Sequence, residues 1–115
     1  MTDWTAIRER YLRESLPTRL GGLAANLGRI RSFAARGSSA DVVASLIEES
    51  KRLIEWTAEE ADIQTGAELV ELQVELARWQ QRWERGNAPP DDRMHLSRAA
   101  GMWAQRVLEM SGLLP

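Results

Sequence analysis

The sequence predicts an all-α fold: an antiparallel four-helix bundle, up-down-up-down, with a short N-terminal helical extension. Three observations carry this. Apolar residues recur at spacings of three and four along most of the chain. Proline, glycine and capping residues punctuate the runs at intervals suited to helices of about three to six turns. No stretch alternates apolar and polar residues as a half-buried strand does.

A first helix is expected from about Thr2 to Glu14, with Trp4, Ile7 and Tyr11 on one stripe. Ser15-Leu16-Pro17 breaks it, because proline disfavours helix in the residue before it and suits the first turn of the next. The second helix reads Leu20, Leu23, Leu27, Ile30, Ala34, with Gly37 as its stop and Ser38 or Ser39 as the following cap. Beside that seam runs a small-residue stripe, Gly21, Ala25, Gly28 and Ser32. Glycine inside a helix costs about 1 kcal/mol against alanine, so the stripe predicts a close helix neighbour there.

The third helix spans about 40–60, with Val42, Val43, Leu46, Ile47, Leu53, Ile54 and Trp56 on a broad apolar face. Ser50 falls inside that face. Glu48 with Arg52, and Lys51 with Glu55, are spaced for pairing on the outer side. Thr65-x-x-Glu68 has the form of a capping box and predicts the next helix start. That fourth helix has the strongest seam, Leu69, Leu72, Leu76, Trp79, Trp83. Beside the seam, Glu68, Glu71 and Glu75 precede Arg78, Arg82 and Arg85, the order the helix dipole prefers. Gly86-Asn87-Ala88-Pro89-Pro90 ends it. Asp91 or Asp92 is expected to cap a last helix with the seam Leu96, Ala100, Trp103, Val107, Met110, closed by Gly112.

The 115 residues, 43% hydrophobic and 28% charged, are enough for one folded domain over 1–115 with its own core. Cysteine is absent, which removes disulfides and thiolate chemistry and fits a cytoplasmic location. Met1-Thr2-Asp3-Trp4 opens a charged segment rather than an apolar leader, and no run is long enough to span a membrane. The net charge of −2 argues against a dedicated nucleic-acid binder. Charge is nonetheless uneven. Residues 1–36 hold seven Arg against three acids (+4), and residues 41–85 hold eleven acids against five bases (−6). Attraction between helices of one bundle is the expected use of this asymmetry, and a basic face for an acidic partner is the alternative.

Candidate chemistry is sparse. A bundle di-iron site needs inward Glu-x-x-His pairs. The chain has one histidine, His95, with no Glu three residues before it, so neither metal nor cofactor is expected. His95-Leu96-Ser97-Arg98-Ala99-Ala100-Gly101 resembles the phosphotransfer site of histidine-phosphotransfer domains, which are also four-helix bundles. The resemblance implies His95 as phosphoryl acceptor steadied by Arg98. The family pattern has lysine followed directly by glycine, where this chain has Arg98 and Ala99. Glu48-Glu49, Glu59-Glu60-x-Asp62 and Glu68-x-x-Glu71 resemble the magnesium-binding acids of all-α nucleotide pyrophosphohydrolases of the MazG type. There Arg52 and Glu71 occupy places where that pattern has Glu and Asp.

Five tryptophans are many for this length. Trp79, Trp83 and Trp103 fit the seams, whereas Trp4 and Trp56 lie at stripe edges. Tryptophan and arginine are favoured interface anchors. The residues therefore read as a small non-catalytic interaction, assembly or regulatory protein with protein partners, forming a homodimer. Its candidate contact residues are Trp4, Ile7, Tyr11, Leu12 and Trp56.

Overall fold

Asp3 opens the first helix, its carboxylate accepting the Ala6 amide at 3.1 Å, and α1 runs Trp4–Leu12. Ser15 repeats the device for α2, Leu16–Arg36, accepting the Thr18 amide at 3.3 Å with Pro17 in the first turn. α3 spans Ala40–Thr57 and tightens into a 3-10 turn over Ala58–Glu60. It is followed by α4, Ile63–Glu84, and α5, Pro90–Ser111. The computed structural model describes residues 2–37, 40–84 and 90–113, and among these the chain is all-helical.

Gly37 ends α2 at φ +68°, a left-handed conformation that only glycine adopts without cost. A Cβ added there would also lie 2.8 Å from Cζ of Arg93, the far end of a flexible side chain that can move aside. Gly37→Ala is therefore expected to cost about 1–2 kcal/mol through the backbone. A denaturant midpoint equal to the parent's would contradict this. The expected caps Ser38 and Ser39, and the stop at 86–89, lie outside the described residues.

The core is one cluster fed by every helix. Leu20, Leu23, Leu27, Ile30 and Ala34 of α2 are buried, as are Leu69, Leu72, Leu76 and Trp79 of α4 and Leu96, Ala100, Trp103 and Val107 of α5. α3 adds Val43, Leu46, Ile47, Leu53 and Ile54, while Val42 at its edge stays exposed. Trp83 and Met110, at the ends of their seams, are half-buried. Ser50 is tolerated in the apolar face because its hydroxyl donates to the Leu46 carbonyl one turn back, at 2.8 Å.

α2 and α5 make the most extensive helix contact. Ser97 Oγ donates to the Arg31 carbonyl at 2.9 Å, and a Cβ on Gly101 would lie 2.9 Å from the Arg31 side chain. The close approach thus uses Ser97 and Gly101 of α5 against Arg31 of α2. It is displaced from the predicted stripe, of which only Gly21 is touched, by Leu113. Ala25 and Ser32 are exposed, and a Cβ on Gly28 would meet nothing.

Two helix starts differ from expectation. α4 begins before Thr65, because Asp62 caps it by accepting the Thr65 amide at 2.8 Å and the Thr65 hydroxyl at 3.2 Å. Glu68 is thereby released to pair with Arg106 of α5 at 2.7 Å. Asp91 and Asp92 lie within the first turn of α5, which is already helical at Pro90.

Candidate functional site

Four places bear on function: the junction of α1 with α3, the acids of α3 and α4, the surroundings of His95, and the outer face of α4.

At the junction, α1 lies against its own chain. Tyr11 is buried, and its hydroxyl donates to the Arg19 carbonyl at 2.9 Å. That hydrogen being engaged, the Thr57 hydroxyl 3.0 Å away donates to the Tyr11 oxygen. Burial pushes the Tyr11 hydroxyl's pKa above its usual value, against the opposing pull of the Thr57 hydrogen bond and the Arg19 charge. Arg19, itself buried, pairs with Glu60 and reaches the Trp56 carbonyl at 3.4 Å. Trp56 packs between Tyr11 (5.9 Å between ring centres) and Trp4 (6.4 Å, edge-on), and the Arg52 guanidinium covers the Trp4 ring at 4.9 Å. Of the five contact residues proposed from the sequence, Tyr11 is thus fully engaged within the fold. Trp4, Ile7, Leu12 and Trp56 are half-buried. Tyr11 is turned inward and Trp4 packs its ring on Trp56, so part of the apolar surface of α1 is covered by α3 of the same chain.

The acids do not converge. Gln80 of α4 donates to Glu48 at 2.8 Å and accepts from Lys51 at 2.7 Å, while Gln73 meets Glu55 at 3.5 Å. Lys51 therefore reaches across to α4 and not along α3 to Glu55. Glu48 pairs with Arg52 at 3.3 Å, as the spacing predicted. Gln80, beside Glu48, stands twelve residues along α4 from Glu68, about 18 Å. Glu48 and Glu49 thus sit midway along α3, beside the C-terminal part of α4, and Glu68 and Glu71 lie in the N-terminal half of α4. Among the described residues, no three His, Asp or Glu side chains are grouped so that they could hold a metal ion.

His95 is exposed in the second turn of α5, above a shallow depression lined by Trp79, Arg82, Trp83, Asp92 and Leu96. Arg98, also exposed, faces a different cleft, between α2 and α5, with Arg31, Met94 and Met102. A second cleft, between α1, α2 and α3, carries Arg10, Arg29, Glu14 and Glu49 at its rim. Asn26 lies at its floor, its oxygen accepting from Arg29 at 3.0 Å. The Asn26 amide nitrogen has no hydrogen-bond partner but is sealed from solvent, so it offers the cleft no donor. Both signs of charge spread around a wide opening, with no convergent set of polar groups, do not define a ligand.

The outer face of α4 escaped the sequence reading. Ile63 is 93% exposed, Val70 57% and Val74 48%. Ala67 and Ala77 are also exposed and complete a three-four stripe, 63, 67, 70, 74, 77, on the side opposite the buried leucines. No family model, curated protein or solved structure matches it. The signal for this face was present in the sequence as a second period in phase with the Leu69–Trp83 seam but half a turn away. A helix apolar on two opposite sides is one that expects neighbours on both.

Proposed function

We propose that this chain is a small non-catalytic interaction or assembly module, one antiparallel four-helix bundle of α2–α5 extended by α1, that acts as a homodimer with protein partners in the cytoplasm. The antiparallel reading is supported by contact pairs that run in opposite senses: Arg31 with Ser97 but Gly21 with Leu113 for α2 and α5, and Glu48 with Gln80 but Glu55 with Gln73 for α3 and α4. The acidic charge balance and the absence, among the described residues, of any helix long and apolar enough to cross a membrane favour neither nucleic acid nor lipid as partner.

The observation that carries the functional reading is the outward stripe on α4. Full burial of one Ile or Val side chain is worth about 1.5–3 kcal/mol, so three left in water on one stripe are a recurrent driving force for association. The catalytic readings find less support. His95 and Arg98 front different depressions, and Glu48 stands beside Gln80, about 18 Å along α4 from Glu68.

The expected result is inactivity in both candidate reactions. Acetyl phosphate should leave no acid-labile phosphate on His95, and nucleoside triphosphates with Mg²⁺ should release no pyrophosphate. Phosphate that disappears in His95→Gln, or pyrophosphate release that disappears in Glu48→Gln, would overturn the non-catalytic reading.

A further inference from the structure

We infer that the occupant of the outer α4 face is a second copy of this chain, its α4 laid antiparallel against the first. The inference rests on the interaction reading above and names its partner and site.

The face is that of an unpaired coiled-coil helix. Ile63, Ala67, Val70, Val74 and Ala77 follow the alternating four-three spacing of a helix seam over more than three turns. All are exposed, and the leucines opposite them already fill the core. The stripe itself carries no charge although 28% of the chain is charged. One edge is lined by Gly66, Gln73 and Gln80 and the other by Glu71, Arg78 and Arg82. Alanines at 67 and 77 let two backbones approach closely on either side of a Val70–Val74 centre.

The stripe is self-complementary. A twofold axis crossing the middle of α4 sets Val70 against Val74 of the second copy and Ala67 against its Ala77, each pair occurring twice, as a symmetric contact requires. Charge selects the antiparallel sense. Arg82 and Asp62 are both exposed. About an axis at position 72, antiparallel apposition sets Arg82 of one copy against Asp62 of the other and opposes the helix dipoles, whereas parallel apposition sets Arg78 and Arg82 against their own copies. Among the described residues, neither α3 nor α5 exposes such a stripe. The outward residues of α3 include Asp41, Arg52 and Glu55, and Met94 and Met102 on α5 are separated by the exposed Arg98. The seam from 63 to 77 is about 21 Å long, a small interface, so association is expected in the micromolar range.

Light scattering and sedimentation on the full chain at about 100 µM test the inference. The expected mass is twice the 13.0 kDa of the chain. Val74→Glu, and independently Val70→Lys, should return it to the single-chain mass with an unchanged far-UV spectrum, since both positions face away from the core. The chain has no cysteine, so orientation can be read from engineered thiols. A mixture of Ala67→Cys and Ala77→Cys should form the mixed disulfide-linked dimer, and neither variant alone should do so efficiently. A 13.0 kDa species at this concentration would falsify the inference. So would a dimer that survives both Val74→Glu and Val70→Lys, or cross-linking of Ala67→Cys to itself. A photo-reactive residue at 74 separates this from the broader reading. An adduct to a different protein, with a monomeric chain, sinks the second copy and leaves the interaction module standing. Catalysis by His95 or Glu48 would sink the module whatever the mass.

Discussion

Truncating Leu76 to alanine is expected to cost about 2–5 kcal/mol of folding stability, the range of large-to-small changes in a packed core. Leu76 is fully buried in the middle of α4, between Leu72 and Trp79 on the same seam, and belongs to the cluster that all five helices share. Removing its branched end withdraws apolar surface and leaves a void that the surrounding packed helices can close only in part. Against a typical total stability of about 5–15 kcal/mol, this is a large share. Urea titration of the parent and Leu76→Ala should give a lower midpoint at similar slope. A loss below about 1 kcal/mol would mean that the Leu69–Trp83 seam is not the core side of its helix. Val70→Ala, on the opposite face, is the internal contrast. In the monomer it should change stability by less than about 0.5 kcal/mol, as surface substitutions do.

The second large effect is expected at Tyr11. Tyr11→Phe keeps the ring against Trp56 but withdraws the hydroxyl from the Arg19 carbonyl and from Thr57, both buried. Leaving buried polar groups unpaired costs about 1–3 kcal/mol. The substitution should also alter the response to alkali. Because burial raises the Tyr11 pKa, the folded chain holds the phenolic proton to higher pH than the unfolded chain. Stability from this group is therefore complete below the ordinary tyrosine value of about 10 and is lost as pH climbs through the higher folded value. Tyr11 is the one tyrosine in the sequence, so tyrosinate absorbance reports it alone. The parent should lose stability above about pH 10 with a component that Tyr11→Phe lacks. Tyrosinate forming at the ordinary pH in the folded protein, or equal alkaline slopes for the two chains, would place the hydroxyl in water.

Much of the architecture was legible because it depends on local periodicity. The seams of α2, α4 and α5 were named residue by residue, and Leu20 to Ala34, Leu69 to Trp79 and Leu96 to Val107 are buried. Gly37 and Gly112 end their helices at positive φ, as glycine's freedom from a Cβ allows. The Glu48–Arg52 pair stands where a four-residue spacing puts it. What failed were choices between equivalent local options. Asp62 and Thr65 are both good caps, and Asp62 holds the Thr65 amide. Lys51 has Glu55 one turn away but meets Gln80, which a neighbouring helix brings closer.

The sequence by itself determined an all-helical chain, most helix limits to within a few residues, and the apolar seam of each long helix. These follow from the 3.6-residue repeat and from caps that act within one turn. Tertiary structure alone decided which face of α2 meets α5, that α1 folds back to bury Tyr11 beside Thr57 and Arg19, and that Glu48 and Glu68 stand far apart. It also decided that of the two apolar faces of α4 the leucine face is covered and the Ile63–Ala77 face is left open. Periodicity states that a face must be buried. Only the packing of the other helices, which compete for one core of limited perimeter, settles which face is covered within the chain.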